Sequence, residues 1–348
     1  MPRSGRHIRL LGTNTAKLDL LTVGLMNHEP FLRALREAPL VLAEGSVVER
    51  LRRHPAGLLD PHVANAGLLF SREGREALAG IYRDYRDIGL RHDLPILLLT
   101  PTWRANAERL ARAGLAGRDV FTEAVGLLAG LREEVGDRGA SIFIGGLVGC
   151  RGDAYKPAEA LSRREATAFH APHVEALVRA GVDFLVAQAL PALTEAEGLA
   201  LAMARTGAPF LLSFVLRPSG TLLDGTPLGE AVARIDALPG ARPTAYMVNC
   251  VHPSVFREGL SRQLAASPSL GTRVVGLQAN TSRLSPEELD GRAEIDSEPP
   301  DAFAREMARV HEELGTRLLG GCCGTDERHI AALAGALTNS PAAAPEHP

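Results

Sequence analysis

Apolar residues in this chain gather into eight short, nearly unbroken runs, each closing on small or polar residues: LVLAEG (40–45), LPILLLT (94–100), ASIFIGGLVG (140–149), VDFLVAQAL (182–190), PFLLSFVLR (209–217), AYMVNCVHP (245–253), RVVGLQANT (273–281) and TRLLGGCCG (316–324). Runs of this length without strict alternation suit parallel strands covered on both faces. Between them, SREGREALAGIYRDYRDIG, HAPHVEALVRAGV, TEAEGLALAMARTG, LGEAVARIDAL and PDAFAREMARVHEELG space their apolar residues three and four apart, with Gly or Pro near their ends. That spacing predicts helices. Eight alternating strand and helix units predict an α/β protein of the (β/α)8 TIM-barrel type, with a doubly wound open sheet as the competing architecture.

The ends break the pattern. Residues 1–29 form an N-terminal extension with no clear period, and HEPFLRALREA predicts one preliminary helix capping the barrel bottom. A single barrel domain is expected over 30–337, and TNSPAAAPEHP closes the chain, with 338–348 expected to be a disordered tail.

Composition narrows the function classes. A chain of 348 residues with 45% hydrophobic and 23% charged residues is an ordinary globular protein. A net charge of −3 and scattered arginines give no footprint for nucleic acid. The start lacks the apolar stretch and cleavage pattern of a secretion signal, and no run approaches a membrane span. A cytoplasmic protein is expected, with neither a nucleic-acid nor a membrane partner. In that reducing setting its four cysteines read as metal ligands, reactive thiols or core residues rather than a disulfide framework. No GxGxxG turn, P-loop or HExxH helix is present.

Three of the cysteines fall where barrel chemistry belongs. Cys250 ends the sixth apolar run, and the adjacent Cys322 and Cys323 end the eighth, hemmed by Gly320, Gly321 and Gly324 as if for a sharp turn. Strand carboxyl ends converge on one mouth, so the three sulfurs can meet there. Three thiolates with a fourth position open describe a catalytic zinc site. Cys250 alone also suits plain core packing, and Cys150, at the end of the third run, is expected to be a buried bystander.

With VNC at 248–250 and GGCCG at 320–324 in this order and spacing, the chain resembles the homocysteine S-methyltransferases, a family that includes betaine-homocysteine methyltransferase and the homocysteine module of cobalamin-dependent methionine synthase. The likeness runs from Pro30 to Ala336, with weaker marks in LAEGS, TPTW, AGVDFL and QANTS. It implies a (β/α)8 barrel with Zn2+ held by Cys250, Cys322 and Cys323. It also implies a reaction: a sulfonium or ammonium donor, such as S-methylmethionine, S-adenosylmethionine or a betaine, gives a methyl group to the zinc-bound thiolate of homocysteine, yielding methionine.

The resemblance implies roles for other residues as well. Glu44 stands where the family holds the substrate amino group with an aspartate, although an acidic residue at a strand end also reads as a helix cap. Gly45 and Ser46 offer backbone N–H groups to the substrate carboxylate. Asn249 and Asn280 either orient backbone or substrate at the rim or serve a turn, and Trp103 offers an aromatic face to a cationic donor or simply packs. Three positions depart from the family: Gln188 replaces a glutamate that also binds the amino group, Glu44 stands for the aspartate, and Ser46 for a glycine. The metal end of the pocket is thus kept while the amino-acid end is altered. The alternatives are the same chemistry on another small thiol or selenol, a non-catalytic barrel binding zinc or a thiol, and a cysteine-pair redox enzyme.

Overall fold

The computed structural model describes residues 28–339, apart from 55–56, 285–287 and 289–296. The strands are β1 (Val41–Ala43), β2 (Ile96–Leu99), β3 (Ile142–Gly149), β4 (Phe184–Leu190), β5 (Phe210–Phe214), β6 (Ala245–Asn249), β7 (Val274–Ala279) and β8 (Leu318–Gly321). They form a closed barrel in sequence order, every pairing parallel, with β1 returning to β8 through Val41 opposite Leu318. Each of the eight apolar runs contains one strand, and the open-sheet competitor is excluded.

Period-two alternation is present but masked, because both faces of each strand are buried. In β2, Ile96 and Leu98 pack outward on the helices, while Leu97 and Leu99 fill the lumen. The same parity in β4 sends Phe184 and Val186 inward, and carries Gln188 to the inner face at the top. Inner positions therefore change from apolar at the bottom to polar at the mouth.

A helix over residues 28–37 closes the bottom, as expected, and straddles the boundary drawn at 29/30. Its Phe31 stacks on Phe184 with centroids 4.2 Å apart and meets Phe143 edge-on at 5.8 Å. At the other end the last helix, Glu327–Asn339, runs past residue 337. Residues 1–27 and 340–348, and with them most of the extension and tail, lie outside the described residues.

The five expected helices are present over Arg72–Arg91, Arg163–Ala180, Leu193–Ala204, Leu228–Asp236 and Pro300–Leu314. Longer helices beyond these cover Val120–Glu133 and Pro253–Ala266. In the first, Gly126 and Gly130 lie on the exposed face, beside a buried stripe of Val120, Ala124, Val125, Leu127, Leu128 and Leu131, and glycine lowers helix propensity by about 1 kcal/mol each. Asp119 caps its start, accepting the Thr122 N–H at 3.1 Å. No helix among the described residues is long and apolar enough to cross a membrane.

Candidate active site

The carboxyl ends of the strands open into one cavity of about 960 Å³. All ten residues singled out from the sequence, Glu44, Gly45, Ser46, Trp103, Gln188, Asn249, Cys250, Asn280, Cys322 and Cys323, line it.

The sulfurs of Cys250, Cys322 and Cys323 lie within 4.8 Å of one another, and they form the only such metal-ligand group among the described residues. Backbone hydrogen bonds across β7 set their positions. Cys250 donates its N–H to Gln278 O at 3.1 Å, and Cys322 donates to Ala279 O at 2.6 Å. Cys323 accepts the Thr281 N–H on its carbonyl at 3.2 Å. Cys250 has a left-handed backbone, φ +57°, which a non-glycine residue adopts only under constraint. Asn249 supplies part of that constraint: its Nδ2 donates to Cys250 Sγ at 3.2 Å, while its Oδ1 accepts the Ala189 N–H at 3.0 Å and the Ser213 hydroxyl at 2.7 Å. Asn280 Nδ2 donates to Cys250 O at 3.3 Å. Both asparagines thus orient the cysteine rather than serving a turn.

The glycines around the doublet divide their work. Gly324 has a left-handed φ of +83° and turns the chain. Gly320 and Gly321 belong to β8 and serve close packing instead: a Cβ on Gly320 would sit 2.7 Å from Ala43, and one on Gly321 would strike Thr325.

In this structure Cys250 and Cys322 are joined as a disulfide with Cα atoms 5.5 Å apart, leaving Cys323 and Cys150 free. Desolvation pushes the Cys323 thiol up to about 11, with Glu49 adding to the rise and Arg52 opposing it. A thiolate here therefore needs a cation. Four-coordinate zinc with sulfur bonds of about 2.3 Å sets its sulfurs about 3.8 Å apart, so the three cysteines are near enough to share the ion once the Cys250–Cys322 bond is reduced. The donor set thus fits zinc. Cys150 stands outside the cluster, buried, with its thiol pushed up to about 12 by desolvation and by Glu195.

Glu44 follows β1 and is buried. Its Oε2 accepts the Leu99 N–H at 2.9 Å, and no cation pairs with it among the described residues. Burial raises its pKa well above the usual carboxylate range, partly offset by that hydrogen bond. It is not a helix cap. Ser46 holds that place for the helix Val47–Arg52, accepting the Glu49 N–H on Oγ at 3.2 Å. The Ser46 N–H donates to Thr325 Oγ1 at 3.1 Å, so it already has a partner and is not free for a substrate carboxylate.

Gln188 donates its amide to Gln278 Oε1. Gln278 Nε2 in turn donates to the carbonyls of Glu44 and Gly321 at 3.4 and 3.5 Å, which fixes the polarity of both amides. The Gln188 Oε1 is left on the cavity as an acceptor. Gln278 was within sight in QANTS but carried no separate signal. Arg104 and Tyr155, also on the cavity wall, sit in aperiodic loops after β2 and β3 that pattern reading could not place.

A (β/α)8 barrel with a sulfur cluster and an unpaired carboxylate at its mouth has the layout of a barrel enzyme, with a donor set that suits a soft metal ion. The family model described as homocysteine S-methyltransferase matches residues 41–337, and the chain belongs to that family. It is 28% identical over 330 residues to the homocysteine S-methyltransferase of Escherichia coli strain K12, covering 89% of this chain and 99% of that protein. Homocysteine S-methyltransferase YbgG of Bacillus subtilis strain 168 is 25% identical, with 88% and 96% covered. Among solved structures, the E. coli homocysteine methyltransferase MmuM superposes in its oxidized form with a TM-score of 0.70 at 26% identity, covering 87% of this chain and 98% of that one. Its metallated form superposes at 0.67 with 26% identity, covering 88% and 99%.

Proposed function

We propose that this chain moves a methyl group from a sulfonium or ammonium donor to the sulfur of homocysteine, giving methionine, with Cys250, Cys322 and Cys323 holding zinc at the barrel mouth. One observation carries the reading: three sulfurs from two different strand ends meet within 4.8 Å, on the wall of the cavity of a barrel that matches this family. Zinc, when bound, would supply a Lewis acid that makes the acceptor thiol a thiolate at neutral pH.

The remaining work falls to the chain. Glu44 takes the substrate ammonium by a charge-assisted hydrogen bond, and the Gln188 Oε1 accepts a second, neutral one. One charge thus replaces the two of the family pattern. Asn249 holds the Cys250 sulfur in place through its amide N–H. The methyl carbon passes from the donor to the acceptor sulfur as its bond to the onium atom breaks. The electron pair stays on the donor, which leaves as a neutral thioether or amine. Such a displacement needs three atoms in line, so positioning two substrates in one cavity is the chief catalytic contribution. No general base is needed at the attack step. We place the reaction in the reducing cytoplasm, where the three thiols stay available, with residues 30–337 as the catalytic unit.

The test is metal analysis joined to a transfer assay. One zinc per chain, lost on Cys250→Ser, and methionine formed from homocysteine with S-methylmethionine, S-adenosylmethionine or betaine are expected. Glu44 further predicts that homocysteine outcompetes 4-mercaptobutyrate, the same carbon chain without the ammonium. Equal use of the two acceptors would point to a different thiol substrate. A zinc-free protein cycling reversibly between dithiol and disulfide would replace this reading with a redox one.

A further inference from the structure

The charged groups on the cavity wall fall into two sets. Most are satisfied within the protein: Arg52 pairs with Glu49, and Lys156 lies 3.7 Å from Asp153. Asp60 accepts the N–H groups of His62 and Val63 at 2.7 and 2.9 Å. Two further groups also lack an opposite charge among the described residues; they have opposite signs, and unlike Asp60 neither side chain has more than one hydrogen bond there. One is Glu44. The other is Arg104, which makes no hydrogen bond or ion pair among the described residues and instead lays its guanidinium over the Trp103 ring, 4.5 Å from the centroid.

That ring is a fixed platform. The Trp103 Nε1–H donates to Gln188 O at 3.3 Å, and the indole lies so close to Gly149 that a Cβ there would come within 2.6 Å of Nε1. A guanidinium held flat against an indole keeps its edge donors free in a defined direction. This is the geometry that receives a carboxylate in two parallel hydrogen bonds. The stacking also revises the role expected of Trp103, because the face covered by Arg104 is closed to a donor cation. Tyr155 is the aromatic ring that remains on this side of the cavity; it is 37% exposed and near enough to feel the charge of Arg104.

An amino-acid acceptor is placed by its sulfur at the cysteine cluster and its ammonium at Glu44; with the Ser46 N–H taken, its own carboxylate is the rival ligand for Arg104, and the homocysteine KM distinguishes the two. The second substrate brings an onium centre, which suits the ring of Tyr155. We propose that Arg104 anchors the carboxylate of the methyl donor, so that the enzyme selects onium donors that carry a carboxylate over those that do not. The proposal rests on the methyltransferase reading for the identity of the ligand, but its test does not depend on turnover.

The test compares S-methylmethionine with trimethylsulfonium, a methyl-bearing sulfonium without a carboxylate, on the wild type, Arg104→Gln and Arg104→Lys. Calorimetry should find wild-type protein binding S-methylmethionine more tightly than trimethylsulfonium. Loss of one charge-assisted carboxylate anchor should cut that preference about 10- to 100-fold in Arg104→Gln, with partial recovery in Arg104→Lys. In turnover, the donor KM should rise while the homocysteine KM holds. The proposal is overturned if the wild type shows no preference, if both donors weaken equally, or if the homocysteine KM rises instead. An Arg104-dependent preference in binding without any methyl reaching homocysteine would uphold the anchor and sink the methyltransferase reading.

Discussion

At Cys250 a non-glycine residue occupies the left-handed region at φ +57°, and Ala189 on the neighbouring rim does the same at φ +58°. Each costs of order 1–3 kcal/mol, and persists only where its surroundings dictate it. Asn249 ties the two together, holding the Ala189 N–H with one end of its amide and the Cys250 sulfur with the other. Asn249→Leu should therefore do more than remove one contact. It leaves the Ala189 N–H and the Ser213 hydroxyl unpaired, at about 1–3 kcal/mol of stability, and frees the sulfur. Zinc affinity, read by competition with a chromophoric chelator, is expected to fall about 10- to 100-fold. An unchanged affinity would remove Asn249 from the metal site. A similar argument applies to Gln278, which aims the Gln188 carbonyl into the cavity. With Gln278→Leu that amide can turn over, so the homocysteine KM should rise about fivefold while kcat holds, on the scale of one neutral hydrogen bond of about 1 kcal/mol. A fall in kcat alone would show that the amide pair supports the scaffold rather than the substrate.

Elements were legible in proportion to how plainly burial marks them. Every strand could be read because both faces are covered, which turns a barrel strand into an apolar run with a polar end. The helix Val120–Glu133 was not, because two exposed glycines lower its propensity although its buried stripe is regular, and the short helix Ala107–Arg112 has one buried residue, Leu110, to mark it. That short helix follows the Trp103 loop, and a histidine from the helix Arg163–Ala180 holds its start. His173 Nε2 accepts the Ala107 N–H at 3.0 Å, a role that requires an unprotonated nitrogen. Burial, and then the neighbouring His170, lower the His173 pKa from 6.5 to about 4. The sign follows from linkage. Above about 6.5 both folded and unfolded chains carry neutral imidazole, and the interaction is fully present. Between 6.5 and about 4 the unfolded chain takes up a proton that the folded chain refuses, so stability falls with pH. The total is of order 2–3 kcal/mol. Denaturant midpoints of the wild type should drop across this window more steeply than those of His173→Gln, which cannot titrate. Parallel curves would place the acid sensitivity elsewhere.

At the scale of the whole molecule, barrel closure turns sequence distance into a site. Cys250 and Cys322 lie 72 positions apart, yet they end strands that flank β7, so the order of the strands alone brings their sulfurs together. This is why the meeting of the three cysteines could be read from their places at strand ends, while Arg104 and Tyr155, placed by loops without a period, could not. Closure also makes two states of the site exclusive, since the sulfurs of Cys250 and Cys322 that would hold zinc are those joined here. Reduced, metal-free protein unfolded in denaturant should titrate four thiols, the full cysteine count. The oxidised chain should titrate two, Cys150 and Cys323. Zinc per chain is expected to fall from about one to zero as the thiol count drops, and to return when reductant and zinc are supplied together. Bound zinc should slow the loss, because a sulfur committed to the metal is a poorer partner for disulfide formation. A chain that keeps its zinc while titrating two thiols would mean that the metal sits on other ligands, and the cluster at the barrel mouth would lose its assigned role.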